Sequence, residues 1–548
     1  MLISRTFYLF VSLIVAMLLM TTSQADVVVQ SESEFELAVK QLDVRSYKKK
    51  QALINTIGNI DDPRRVPVLQ AILKGNLYIN KSTKQMLVIN KKPGQFIATD
   101  AFTQKKMGVI EKGAIKKVKI NNKLRRVIRS LLAKINLYSD KASVRLSAVK
   151  NIIKTSRPQE VQLLRELVQK EKNTKVHEAM LASIAMIDIN SDDKVVRLKS
   201  IGILGDSLLP EAKNALVDIL TKDDAGKYDE PDVEIRNASQ RALDNINSSL
   251  DFYGFLETAF FGLSLGSVLL LIAIGLSITF GVMGVINMAH GELMMIGAYT
   301  AYVVQLMMPE YLDYSLLVSV PLAFIVAGLF GVLIERTVIR HLYGRPLETL
   351  LATFGISLIL QQMVRSIFSP LNRSVSTPSW MSGSLDINDA LSLTNNRLYI
   401  IVFSLIVFFL LLLILKKTRL GLQVRAVSQN RPMAKAVGVR SEWVDALTFG
   451  LGSGVAGVAG VALSQITNVG PNLGQTYIID SFMVVVFGGV GNLWGTFVSA
   501  MSLGVFGKFI EPWSGAVMAK ILVLVLIILF IQKKPRGLFP QKGRSVDN

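Results

Sequence analysis

The feature that most constrains this chain is a succession of apolar runs between residues 255 and 532. All but one are close to the ~20 residues that a helix needs to cross a bilayer. Inside hydrocarbon every backbone N–H and C=O must be satisfied within the segment, so such runs fold as helices. The runs fall at 257–281, 291–308, 314–334, 348–368, 397–415, 442–464, 478–489, 494–510 and 515–532. They predict a polytopic α-helical membrane domain of about nine spans or re-entrant segments. The run at 478–489 is too short to cross alone and reads as a re-entrant arm, tolerated only where protein surrounds it.

Ahead of residue 255 the chain is of a different kind, dense in Lys, Arg, Asp and Glu. The formal net charge of +20 raises nucleic acid as a partner. However, many of the cations flank apolar runs, where positive-inside topology accounts for them, and no nucleic-acid motif accompanies them. The expected partner of the apolar half is the lipid bilayer, with no nucleic acid. The sequence holds no cysteine, which excludes disulfides, thiolate nucleophiles and cysteine metal sites. Its three histidines, His177, His290 and His341, are too far apart in sequence to suggest a metal cluster. No cofactor or metal is expected.

Residues 1–25 read as a secretory signal: Arg5, an apolar core Phe7–Met20, and Ser23-Gln24-Ala25 before Asp26. The alternative is an uncleaved anchor helix. Either way residues 26–250 are expected outside the cytoplasm, facing the periplasm of a bacterium. Basic clusters at Arg336–Arg345, Lys416–Arg440 and Lys533-Lys534-Arg536 are expected inside, together with a cytoplasmic tail at 541–548. An exported first domain and a cytoplasmic end require an odd number of crossings, which nine satisfies.

The exported domain reads as mostly helical and HEAT-like. Val144-Arg145, Val196-Arg197 and Ile235-Arg236 each open an apolar stripe at helical spacing. Such helices stack because no single pair buries its own apolar face. At about 84–121, short β-prone runs around Lys92-Pro93-Gly94 and Lys112-Gly113 predict a small β insertion. Its lysines suit anionic lipid headgroups or an acidic protein, or simply solvate that face. No catalytic constellation is visible, and the domain reads as a docking module.

Within the membrane domain, Gly281–Tyr302 places Asn287, His290, Gly291 and Glu292 between two apolar runs. Polar groups at that depth cost a few kcal/mol each, roughly, which points to a functional or tightly paired role. The competing reading is a cytoplasmic turn with Glu292 capping the next helix. Thr353, Ser357 and Gln361 recur every four residues and share one helix face. Together, Asn287, His290, Glu292, Thr353, Ser357 and Gln361 are the candidates for a translocation path. Interhelical hydrogen bonding without solute contact explains them equally. Gly450, Ser453, Gly454, Ala456, Gly457 and Gly460 lie in small-residue pairs four apart, a pattern for close helix approach. Gly488-Gly489-Val490-Gly491-Asn492 lacks the Lys-Ser/Thr of a phosphate loop and reads as a turn. The loop Leu420–Arg440 is amphipathic, interrupted at Pro432, and suited either to a partner's groove or to lying on the membrane surface.

The motifs Ile286–Glu292 (INMAHGE), Met295–Tyr299 (MIGAY), Arg425–Asn430 (RAVSQN), Ala434–Val439 (AKAVGV) and Phe449–Gly460 occur in order. They resemble permease subunits of ABC importers of the branched-chain amino-acid type, over about 255–540. The extra domain ahead of the first span resembles the layout of urea ABC transporter permeases. The resemblance implies a permease domain at 251–540 in a bacterial inner membrane. It also implies a second permease subunit, cytoplasmic ATPase subunits and an exported solute-binding protein as partners. It places Arg425, Ala426, Asn430, Ala434 and Gly438 at the ATPase surface. ATP hydrolysis is then expected from another polypeptide, because the chain has no G-x-x-x-x-G-K-[ST]. The chain itself is expected not to be an enzyme. Two other readings stand beside the urea permease: an importer of branched-chain amino acids, and a membrane receptor with an exported sensing domain.

Overall fold

The computed structural model describes residues 33–92, 95–154 and 158–539. The signal segment read at 1–25 and the tail read at 541–548 lie outside the described residues. The chain divides into two compact units, Met1–Asp244 and Asn245–Asn548.

The first unit opens with α1 (Glu34–Lys40), α2 (Tyr47–Asn59) and α3 (Arg65–Lys74). Ser33 and Ser46 cap the first two by accepting backbone N–H bonds, as short hydroxyl side chains do at helix starts. Gly75, at φ +70°, ends α3 in the left-handed region that glycine adopts without penalty. Five antiparallel strands follow: β1 (Leu77–Asn80), β2 (Met86–Lys92), β3 (Gln95–Asp100), β4 (Lys106–Val109) and β5 (Ile115–Lys117), in the order β4-β3-β2-β1-β5. The alternation of side chains sorts the sheet into two faces. Leu77, Ile79 and Met86 join the core under the helices, while Tyr78, Leu87, Ile89 and Ala98 form a separate small cluster. The sheet therefore starts before the 84–121 stretch expected from sequence.

Six further helices complete the unit's course: α4 (Asn122–Asn136), α5 (Ala142–Ile153), α6 (Pro158–Leu167), α7 (Thr174–Asp188), α8 (Lys194–Gly205) and α9 (Pro210–Ile219). The recurring arginines share one geometry. Arg145 donates to the carbonyls of Ser139 (2.7 Å) and Asp140 (3.0 Å), Arg197 to Ile189 (2.9 Å), and Arg236 to Glu230 (2.6 Å) and Pro231 (2.9 Å). Arg65 does the same to Ile60 at 2.9 Å. Each arginine sits near a helix start and satisfies carbonyls of the connection just before it.

The helix α10 (Val233–Met283) begins in the first unit and runs on into the second, whose other long elements are α11 (His290–Met307), α12 (Leu312–Thr337), α13 (Pro346–Phe368) and α14 (Asn395–Lys417). After them come α15 (Arg419–Gln429), α16 (Arg431–Ala436), α17 (Ser441–Leu463), α18 (Leu473–Gly488), α19 (Leu493–Ser514) and α20 (Ala516–Lys533). Seven of these helices are long and apolar enough to cross a membrane: α10, α12, α13, α14, α17, α19 and α20. The count is lower than the nine segments expected. α11 carries His290 and Glu292 in its first turn, which lowers its apolar character, and α18 is only 16 residues long.

α17 is the core of this unit. Its most apolar window is 89% buried, against 17% for α20. Small residues make that possible: a Cβ added at Gly457 meets the Ala323 carbonyl oxygen at 2.6 Å, and one at Gly460 meets the Ala298 nitrogen at 2.7 Å. α11 and α12 thus touch α17 backbone to backbone, the close approach that a larger side chain forbids.

Candidate functional site

The polar residues singled out in α11 and α13 come together in the interior. Gly284, at φ +70°, lets the chain leave α10. Asn287 then turns it: its Oδ1 accepts the Ala289 N–H at 3.0 Å, and α11 begins one residue later. Thr353 on α13 reaches the same turn, where its Oγ1 accepts the Met288 N–H at 3.1 Å and donates to Leu350 at 3.0 Å. One and two turns further along α13, Ser357 and Gln361 both donate to Glu292 Oε1, at 3.1 and 2.7 Å. Gln361 Nε2 also lies 3.2 Å from Ser357 Oγ. The period of four residues therefore delivers three side chains of α13 to the first turn of α11.

His290 points elsewhere. Its Nε2 lies 2.9 Å from the Ile272 carbonyl of α10, and its ring fits against Gly275, where an added Cβ meets Cε1 at 2.9 Å. A His290–Glu292 pair, one of the expected arrangements, is not formed. All six candidates are buried, none more than 3% exposed. Three of their polar atoms have no protein partner: Asn287 Nδ2, His290 Nδ1 and Glu292 Oε2. Buried polar atoms left unpaired are costly. Asn287 Nδ2 and Glu292 Oε2 are thus left to a small hydrogen-bonding guest or water, while the His290 ring is directed at α10.

The segment from α15 to Arg440 forms an elbow. Asn430 caps α16 by accepting the Met433 N–H at 3.0 Å. Gly438, at φ +89°, closes α16, with the Val439 N–H returning to the Ala434 carbonyl at 3.0 Å. Arg431 donates to Asp445 of α17 at 2.6 Å and stacks 3.9 Å over the Tyr343 ring, fixing the elbow to two neighbours. Arg425 is exposed and Ala426 half-buried. Ala434, expected at an outer surface, is 3% exposed and packs inward with Val424 and Val427. The apolar side chains that face outward are Leu422, Met433 and Val437. Val437 is among the apolar residues of the amphipathic reading, whereas Leu422 and Met433 were not singled out; Met433 and Val437 are four apart, the spacing of side chains that share one face.

Comparison with known proteins agrees with this architecture. The family model described as branched-chain amino acid transport system / permease component matches residues 258–531. The high-affinity branched-chain amino acid transport system permease protein LivH of Salmonella typhimurium is 32% identical over 301 residues, 53% of this chain and 97% of the relative. BraD of Pseudomonas aeruginosa, a permease protein of the same description, is 30% identical over 298 residues, 53% of this chain and 96% of its own. The ribose import permease protein RbsC of Haemophilus influenzae is more distant, at 22% over 274 residues, 48% of this chain and 81% of its own. A multi-pass membrane chain with seven apolar helices, matched over its second half by these permeases, belongs to the branched-chain amino acid transport system permease-component family.

Proposed function

We propose that this chain is the permease subunit of an ATP-driven importer for urea or another short neutral amide. It works beside a second permease, two cytoplasmic ATPases and an exported solute-binding protein. The elbow at Arg425, Ala426, Asn430, Ala434 and Gly438 receives the motion of the ATPases, with Met433 and Val437 as its outward contacts. The solute passes the cluster of Asn287, His290, Glu292, Thr353, Ser357 and Gln361. One observation carries the choice of a neutral solute. Among the described residues of the second unit no Lys or Arg is fully buried, so the interior offers hydrogen-bond donors and acceptors but no cation for a substrate carboxylate. The domain ahead of the spans, which lies outside the 53% of the chain aligned with LivH, is the second support.

Branched-chain amino acids are the other reading, favoured by the printed function of LivH and BraD. Uptake of labelled urea, with leucine in parallel, into cells with and without the gene separates them. Urea uptake lost with leucine spared supports the proposal. Leucine lost instead keeps the importer and replaces its solute, and no change in either overturns both.

A further inference from the structure

A cavity of about 200 Å³ opens between α10, α18, α19 and α20 and shares no residue with the Glu292 cluster. Apolar side chains such as Leu269 and Leu503 form much of its wall, yet four charges also line it. Lys520 of α20 pairs with Asp480 of α18 at 2.8 Å, and Lys508 pairs with Glu511 within α19 at 2.6 Å. In a membrane unit such residues are expensive to keep and mark sites by default.

The four charges sum to zero, which decides the class of guest. A lone anion or cation adds unbalanced charge, whereas a zwitterion does not. Each ammonium has three donors and each carboxylate two oxygens, so both pairs keep capacity for a further partner. Lys520 and Lys508 lie five and seven residues from the turn at Gly515. At 1.5 Å per residue that is roughly 7–11 Å along the helices, the depth of a headgroup layer and the first methylenes. The volume equals about seven waters at ~30 Å³ each, room for a headgroup but not for acyl chains. The chains have a place beside it: Val517 and Ile521 of α20, next to the cavity-lining Ala516 and Lys520, are exposed.

From this geometry we propose that the cavity is a phosphatidylethanolamine site. The phosphate accepts from Lys508 and Lys520, and the primary ammonium donates to Asp480 and Glu511. Phosphatidylcholine has no N–H to donate to the carboxylates, and phosphatidylglycerol, whose hydroxyls can donate, brings a phosphate charge with no cation to balance it. A free α-amino acid carries the same pair of charges, with a carboxylate in place of the phosphate, but has no acyl chains to lie along the apolar face of α20.

Native mass spectrometry of the full-length chain tests this, using the three lipids with matched acyl chains at equal concentration. Phosphatidylethanolamine is expected to be retained about tenfold more than the others, the factor that one charge-assisted hydrogen bond supplies. K508Q/E511Q removes only a pair within one helix and leaves the Asp480–Lys520 bridge that joins α18 to α20, so the fold is kept. This variant is expected to lose the preference, as is D480N/K520Q. Equal retention of the three lipids by the wild type overturns the proposal. So does an undiminished preference in K508Q/E511Q, or displacement of the lipid by free leucine, which identifies a solute site instead.

Discussion

Glu292 is the residue on which the polar cluster turns, because one of its oxygens accepts from both Ser357 and Gln361. Replacing it separates charge from hydrogen bonding. E292Q keeps a carbonyl for the two donors, whereas E292L takes the acceptor from Ser357 and leaves Gln361 only its bond to Ser357 Oγ, at a cost of about 1–3 kcal/mol for the buried donor left unpaired. The thermal midpoint of purified E292L is therefore expected well below that of E292Q, and uptake should be lost in E292L first. Equal midpoints show that the bonds carry no stability. In the first unit, Arg145 meets Glu171 through two parallel bonds of 2.7 and 2.8 Å. Arg145 and the neighbouring backbone N–H groups hold the Glu171 carboxyl below its ordinary value of 4.5. A depressed carboxylate stabilises the fold above its unfolded pKa and loses that contribution as pH falls through the folded one. Amide hydrogen exchange in α5 and α7 should thus accelerate as pH drops below about 4.5, beyond the intrinsic trend. R145M should exchange faster at neutral pH and show little further change on acidification. A wild-type-like acid response in R145M places the sensitivity elsewhere.

Between elements, glycine has opposite meanings in the two units. On α17, a Cβ at Gly457 has the Ala323 carbonyl oxygen at 2.6 Å, a backbone atom that moves only with its helix. Gly457→Ala is expected to destabilise by about 1–3 kcal/mol, as overpacking does. On α8, Gly202 has open space around its Cβ position, and Gly202→Ala should stabilise by roughly 0.5–1 kcal/mol through helix propensity alone. Detergent-phase thermal midpoints moving in opposite directions check both. The small-residue spacing on α17 was legible in sequence because a period of four survives any neighbour. So was the shared face of Thr353, Ser357 and Gln361. The partners were not legible, since that period gives a direction but not which helix lies in it. His290 thus turned to Ile272 of α10 rather than to Glu292. β1 escaped notice because a four-residue strand right after a glycine cap has too few side chains to show an alternation. The Lys520–Asp480 bridge joins residues 40 apart that no local pattern connects.

At the scale of the whole molecule, two units of different composition share one chain. The basic recurring arginines of the first unit secure helix connections, and its role is expected to be capture or orientation of the solute-binding protein. Removing residues 26–250 while keeping residues 1–25 should lower uptake at limiting binding protein and leave saturating uptake within about twofold, since an encounter step governs only the former. Unchanged uptake at both concentrations ends that role.

The glycine-lined contacts of α17 have a mechanical consequence. Where backbone rests on backbone, no side chains interlock across the contact. Elsewhere on α17 side chains do lock in: the Phe324 ring seats on Gly454 and the Ser453 side chain on Gly331, so neighbours are held both against separation and against sliding. α17 is in this sense a keyed shaft: fixed in position by its neighbours and intolerant of a single added methyl group where backbone meets backbone.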